Sequence, residues 1–381
     1  MLDEIANAIF CFGLGICLTQ LFVVFWRLWR TANSPVPLRC YPSVAILKPL
    51  KGLDDQLEAN LRSFFELDYP HYEILFAISE TDDQAVRVVH DLQKQYPHII
   101  TRLVICTQRI GLNPKINALN SLMPHLKSEY LLISDSNIRV EPMYLTRLLA
   151  YLMEGDYGLV TSCIRGCRAR KLGSIFENLH LNSVILASVL ASEKLFRKPI
   201  SIGKSMLFKR ETLQQIGGFK PFRNYLAEDY FIGEAIRKNG LKISTAPVFV
   251  DNINENWDVQ RFFNRHTRWA KIRFHTYAFT CTAEFISNPV FNAMLLFFLR
   301  PDSASATKFV VVMLLKTFLD GCIIRLSKAG VRWHHLLLIP LKDLCIGLIW
   351  FLPFVSRKIV WRGNHLKIYK NTKLIPLTQG G

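Results

Sequence analysis

The chain reads as an α/β protein with a largely parallel, doubly wound sheet, flanked by apolar helical ends. Three observations carry this. Short apolar runs alternate with amphipathic helical windows between Ser43 and Val250, carboxylates follow the carboxyl ends of several runs, and both termini are more apolar than a soluble domain of 381 residues requires.

The first element is Ile5 to Trp26, about one bilayer thickness with Asn7 and Gln20 as its clearly polar interruptions, closed by Arg27 and Arg30. Asp3 and Glu4 precede the run, the basic residues follow it, and no small-residue cleavage site comes after. This is a retained spanning helix rather than a signal peptide. The positive-inside rule places the chain after Arg27 on the cytoplasmic side.

Ser43–Leu47, Glu73–Ile78, Arg102–Cys106 and Tyr130–Ser134 are the buried strands, separated by helices near Asp55–Phe65, Asp83–Tyr96 and Pro114–Lys127. Asp55 with Glu58 forms a capping-box-like pair, and Pro114 suits a first helical turn. In such a β-α-β-α order the ligand lies beyond the carboxyl ends of the strands. Asp83 and Asp135 both fall there. The window Gly173–Leu195 contains Glu177, His180 and Glu193, which favour a core or surface-lying helix over a membrane span.

After Trp269 come Pro289–Leu299, Phe309–Ile324 and Leu336–Val355. Of these the last approaches spanning length, despite Lys342 and Asp343 inside it. Lys316 and Asp320, four residues apart, pair on one face of the second. Basic residues follow both, so the charge rule leaves the number of spans open.

A net charge of +17 raises the question of nucleic acid, but the basic residues are dispersed and no nucleic-acid-binding signature accompanies them. An anionic membrane surface and an anionic diphosphate account for the charge, so no nucleic-acid partner is expected. Nine cysteines are scattered without CxxC pairs, and Cys163 with Cys167 lacks the companion ligands of a zinc site, which fits a reducing compartment.

Four signals carry chemistry in sequence order: Asp82-Asp83, Asp135-Ser136-Asn137, Glu228-Asp229 and Arg265-x-x-Arg268-Trp269. Asp82-Asp83 precedes an amphipathic helix, so an N-cap and a ligand contact are both open. Asp135 ends an apolar run at the expected nucleotide crevice, where one or two carboxylates suffice for Mg2+ or Mn2+ alongside phosphate oxygens; a turn aspartate is the plainer alternative. Glu228-Asp229 opens a helix, after Gly-Gly-Phe219 and a flexible Lys220–Leu226 stretch. It either complements the helix dipole or presents a base to an acceptor hydroxyl. Arg265 and Arg268 share one helix face and suit a diphosphate, while Trp269 offers a plane to a sugar or lipid; the same segment also reads as an interfacial helix. Metal carboxylate, base and paired cations together describe a glycosyltransferase.

Leu47-Lys-Pro-Leu-Lys-Gly52, Asn60-Leu-x-Ser-Phe-Phe-Glu-Leu-Asp-Tyr-Pro70, Gly111-Leu-Asn-Pro-Lys-Ile-Asn117, Asp135-Ser-Asn-Ile-Arg-Val140, Ala227-Glu-Asp-Tyr-Phe231 and the arginine–tryptophan motif resemble ceramide glucosyltransferases. The layout is also similar to bacterial hopanoid-pathway glycosyltransferases. The resemblance implies a GT-A type, Rossmann-like domain, inverting transfer from a UDP-sugar, and a divalent cation. It implies that Asp83 and Asp135 hold the uridine and the metal-bound diphosphate, with Asp135 the metal ligand. Lys115 would lie near the donor, Asp229 would be the catalytic base, Arg265 and Arg268 would bind the donor diphosphate, and Trp269 would meet the acceptor. Where animal members carry Gly-Met-Ser-Cys this chain has Gly203-Lys-Ser-Met206, and it reads Asp-Ser-Asn where they read Asp-Ser-Gly.

The resulting layout is a transmembrane helix over 1–30, a catalytic domain over 31–255, an interfacial helix with the arginine–tryptophan motif over 256–285, membrane helices over 286–360 and a basic cytosolic tail over 361–381. The expected protein is a multi-pass membrane enzyme with its catalytic domain facing the cytoplasm. It glucosylates ceramide from UDP-glucose, with N-acetylglucosaminyl transfer to a hopanoid as the alternative. A processive polysaccharide synthase shares the arginine–tryptophan signature but needs more spans than this tail offers, and a catalytically dead scaffold would not need the carboxylates.

Overall fold

The computed structural model describes residues 2–32, 37–276, 278–361 and 364–377. The chain forms two compact units, one of Arg30–Arg165 and Ser192–Ile253, the other of Met1–Trp29, Gly166–Ala191 and Asn254–Gly381. The catalytic segment expected as one continuous stretch is thus interrupted, with 166–191 grouping with the helical termini.

The first unit is built on an eight-stranded sheet: β1 (Val44–Leu50), β2 (Tyr72–Ile78), β3 (Ile100–Ile105), β4 (Tyr130–Ser134), β5 (Ile138–Arg139), β6 (Tyr157–Cys167), β7 (Ser205–Lys209) and β8 (Lys242–Ile253), in the order β3-β2-β1-β4-β7-β6-β8-β5. β1 pairs in parallel with β2 and β4, and β2 with β3. Helical crossovers cover both faces of these strands, so every residue of β1 and β4 is buried and each reads as an apolar run rather than an alternation. β7 then runs against β4 and β6, and β5 against β8, so the sheet is mixed beyond its parallel half.

Helix Pro114–Ser121 starts as its sequence requires, with Pro114 in the first turn and the Asn113 side chain accepting the Ile116 N–H at 3.0 Å. Helix Leu57–Phe65 does not follow the expected Asp55–Glu58 box. Its N-cap is Gln56, in the left-handed region at φ 53° with no side-chain cap, and the Asp55 carbonyl instead accepts from the Asn60 amide. Leu47, Leu75, Leu119, Ile133, Phe208, Phe219 and Ile236 form the main core, which joins helices Pro114–Ser121 and Glu228–Lys238 to the sheet. Burying several such side chains at about 1.5–3 kcal/mol each fixes the sheet edge on which the site stands.

Among the described residues, three helices are long and apolar enough to cross a membrane: Asn7–Arg30, Leu172–Phe196 and Trp333–Val355. The middle one is 78% buried inside the fold, as a core helix should be, and passes through a π-turn at Leu181–Ile185. Asp302 caps helix Ser303–Leu326 through a reciprocal box with Ser305. Lys316 and Asp320 on that helix, and Lys342 and Asp343 on Ile339–Ile349, form a buried ring of charges. Lys316–Asp320 and Lys342–Asp343 are each 2.5 Å apart, with cross pairs at 3.7 and 3.8 Å and no side chain more than 4% exposed. The stretch assigned to a basic tail carries much of a small antiparallel sheet, β9 (Lys358–Trp361), β10 (Asn364–Ile368) and β11 (Leu374–Pro376). Its residues 362–363 and 378–381 lie outside the described residues.

Candidate active site

The site stands where β2, β1 and β4 end and β7 begins. Register does the assembly: Ser134 pairs with Ser205 across antiparallel β4 and β7, so the next residue outward on each strand, Asp135 and Lys204, face one another. Lys204 Nζ lies 3.0 Å from Asp135 Oδ2, and Lys115 Nζ, from the first turn of Pro114–Ser121, lies 2.7 Å from Asp135 Oδ1. A third lysine, Lys48 on β1, is fully buried against the Phe64 ring and donates to Ser134 Oγ and to the Asp135 carbonyl, each at 3.0 Å. Burial alone would raise the pKa of Asp135, but Lys115 and Lys204 outweigh it and hold the carboxyl well below the usual range. Burial pulls Lys48 well below the ordinary lysine value, against the opposing pull of Asp135.

Lys115 also reaches the base expected from the sequence, through one glycine. Its ammonium donates to the Gly203 carbonyl at 2.9 Å, while the Gly203 N–H donates to Asp229 Oδ2 at 2.7 Å. A Cβ at position 203 would stand 2.8 Å from Lys115 Nζ and 3.0 Å from Asp229 Oδ2, so a side chain there would displace the ammonium and crowd the carboxylate. Asp229 Oδ1 accepts the N–H of Tyr230, fixing the carboxylate at the start of Glu228–Lys238. Burial raises the pKa of Asp229, opposed by Lys115. Beside it, Glu228 accepts from the Asn113 amide at 3.0 Å and sits 3.6 Å from Lys115; burial pushes its carboxyl up to about 7.

The 220–226 stretch, expected to be flexible, is tied down. It contains a 3-10 turn at Lys220–Phe222, Leu112 N–H donates to Asn224 Oδ1, and Asn113 donates through its amide to the Tyr225 carbonyl and through its N–H to the Arg223 carbonyl. Asp83, at the end of the β2 loop, caps helix Gln84–Gln95 by accepting the Ala85 N–H at 2.8 Å and also accepts the Gly52 N–H with both oxygens, at 3.1 and 2.8 Å. It therefore ties the loop after β1 to the loop after β2.

The remaining sequence-selected residues belong to the other unit, where helix Val259–Thr276 carries the arginine–tryptophan motif. Arg265 Nε is 3.1 Å from the fully buried Glu177 carboxylate, and its guanidinium lies over Trp269 at 4.4 Å and Trp257 at 5.2 Å. Burial pushes the His266 pKa below the usual imidazole value, against the pull of Glu177, whose Oε2 is 2.7 Å from His266 Nε2. Arg268 is half-buried on the same helix.

The structure thus brings Lys115, Asp135 and the Glu228-Asp229 pair together and adds Lys48, Lys204, Asn113 and Gly203, to which sequence reasoning had given no role. Lys48 and Asn113 lie inside the quoted motifs, and Lys204 marked a departure from animal sequences; strand register was needed to give them positions. The Mg2+ or Mn2+ expected at Asp135 meets a different arrangement. Both carboxylate oxygens face ammonium groups, and the side-chain oxygen of Asn137 accepts from Lys204 at 2.7 Å. With both Asp135 oxygens engaged by ammonium groups, this arrangement of the carboxylate does not fit a divalent cation bound to it.

The fold is of the GT-A glycosyltransferase type. It matches a mannosyltransferase from Pyrobaculum calidifontis, solved in complex with GDP-Man and Mn2+, with a TM-score of 0.54 at 18% identity, covering 93% of this chain and 98% of that one. The model of glycosyl transferase family 21 matches residues 11–374, and the chain belongs to that family. Ceramide glucosyltransferase 1 of Caenorhabditis elegans is 30% identical over 259 residues, 67% of this chain and 55% of the relative. Ceramide glucosyltransferase 3 of the same organism is 31% identical over 270 residues, 69% and 58% of the two. The chain spans a little over half the length of these relatives.

Proposed function

We propose that the protein transfers glucose from UDP-glucose to the primary hydroxyl of ceramide with inversion, giving glucosylceramide. Its membership of family 21 and its ceramide glucosyltransferase relatives support the reaction class. The observation that carries the reading is the Lys115–Gly203–Asp229 relay, a cation for a leaving diphosphate and a carboxylate base held by the carbonyl and the N–H of one glycine.

Charge development assigns the roles. As the bond from C1 to the β-phosphate oxygen stretches, its electron pair stays with UDP, and Lys115 meets the growing negative charge. Asp229, a buried carboxylate with a raised proton affinity, takes the acceptor proton directly or through one water as the hydroxyl oxygen attacks C1 from the opposite face. Asp83 meets the uridine at the loop edge it organises, and Asp135 orients Lys115 beneath the diphosphate. From the arginine–tryptophan motif, Arg268 serves the diphosphate and Trp269 the acceptor. Arg265, engaged by Glu177, holds the motif in shape more than it binds donor.

A lipid acceptor requires a site at a bilayer surface, which the apolar helices support. We assign the Asn7–Arg30 helix as a span, with Arg27 and Arg30 on the cytoplasmic side together with the sheet unit, and further spans among the C-terminal helices. Purified protein given UDP-glucose and ceramide in mixed micelles should form a singly glucosylated lipid, read by mass spectrometry. Product only from UDP-N-acetylglucosamine and a hopanoid would overturn the donor and acceptor, and a long glycan would overturn the reaction.

A further inference from the structure

In the Asp135-Ser136-Asn137 turn, one group occupies the position between Asp135 Oδ2 and Asn137 Oδ1. Lys204 Nζ is 3.0 Å from Asp135 Oδ2 and 2.7 Å from Asn137 Oδ1. Two constraints make this placement a built feature. The Ser134–Ser205 register brings residue 204 opposite residue 135, and the Asn137 amide nitrogen donates to Asn252 Oδ1 at 3.0 Å, which turns the amide oxygen toward Lys204. Lys204 is only 14% exposed, so its charge is little screened by water.

A divalent cation bound by this turn would take the same two oxygens, at about 2.0–2.2 Å for an ion such as Mg2+. It would then press against an ammonium already within hydrogen-bonding range of both. Lysine and metal are therefore alternatives here. An ammonium's three N–H bonds suit a place shared by a carboxylate, an amide and a phosphate oxygen. Lys115, 2.7 Å from Asp135 Oδ1 and shared with Glu228 at 3.6 Å, stands on the other side of the carboxylate, so ammonium groups flank Asp135 at the strand ends where a diphosphate would lie.

We propose that Lys204 supplies the positive charge that a divalent cation would otherwise bring to the diphosphate, so that UDP binding and sugar transfer by this chain need no divalent cation. In the transfer step Lys204 exchanges no proton. The C1–O bond breaks with its electron pair left on UDP, the acceptor–C1 bond forms, the acceptor proton goes to Asp229, and Lys204 stays ion-paired to the departing diphosphate. The inference rests on the sugar-nucleotide reading of the site but not on the identity of sugar or acceptor.

The test is calorimetric titration of the full-length protein in micelles with UDP, in EDTA and in Mn2+, beside electron paramagnetic resonance of Mn2+ binding. Wild-type affinity for UDP should agree within about threefold in the two conditions. Lys204→Met should bind UDP about tenfold or more weakly in EDTA, and Mn2+ should recover that loss because the Asp135 and Asn137 oxygens are then released; Lys204→Arg should keep binding in EDTA. Wild-type protein that binds UDP only with Mn2+, or Lys204→Met that binds it unchanged in EDTA, overturns the inference and leaves the sugar-nucleotide site standing. Absence of UDP binding in every condition overturns that site reading and this inference with it.

Discussion

Replacing Asp229 by Asn separates the base from the scaffold that holds it. The carboxylate accepts the Gly203 N–H with one oxygen and the Tyr230 N–H with the other, at 2.7 and 2.8 Å. An asparagine can accept only one of them and turns its own N–H toward the other, which leaves one backbone donor unmet at a cost of about 1–3 kcal/mol. Against this, removing a buried anion whose protonation burial already favours returns part of the cost, so the fold survives. The loss of a general base is larger, about 10²–10⁴ in rate, or roughly 3–5 kcal/mol of transition-state stabilisation. Initial rates at saturating UDP-glucose and ceramide should therefore fall by that factor, while UDP affinity changes by no more than about threefold. Glu228→Gln is the control: it stays close to Asn113 and should keep neutral-pH transfer within about tenfold of wild type. An Asp229→Asn protein that transfers within about tenfold of wild type refutes the assignment of the base.

The pH dependence should reflect the same pair. Because Asp229 works as a carboxylate and burial raises its pKa, kcat/KM should fall on acidification along a limb above the ordinary aspartate range, and a limb at the ordinary value contradicts the site. Glu228, raised to about 7, contributes stability below its unfolded pKa that is lost as pH rises through 7. Melting temperature should thus decline over that interval in wild type and more shallowly in Glu228→Gln. In the helical unit, Glu177→Gln leaves the Arg265 cation, 10% exposed, without its carboxylate, and should cost about 3–5 kcal/mol in thermal unfolding; an unchanged melting point refutes the anchoring role. Lys316→Ala should destabilise by a similar roughly 3–5 kcal/mol, but combined with Asp320→Leu by less than the two single effects added, since the pair is removed together. Additive effects would show that the ring is not coupled.

The strands of the parallel half were legible because both faces are buried and their runs are apolar, and the helix over Pro114–Ser121 because its cap is local. Asp229 and Asp135 were legible from their place after loops and strands. The Gln56 cap was not, because a left-handed residue without a side-chain cap leaves no composition signal. Nor was the reversal of β7, whose short apolar run looks the same in either direction; with it went the pairing of Lys204 with Asp135, a contact between positions 69 residues apart. Glu177 and Arg265 were similarly invisible as a pair, since each reads alone as a helix-face charge.

The charge ring between Ser303–Leu326 and Ile339–Ile349 makes each helix depend on the other for its final surroundings. Each contributes its own ion pair, and the cross contacts at 3.7 and 3.8 Å join the two pairs into one buried unit. Residue 316 therefore reaches its final environment only when residue 343 is in place.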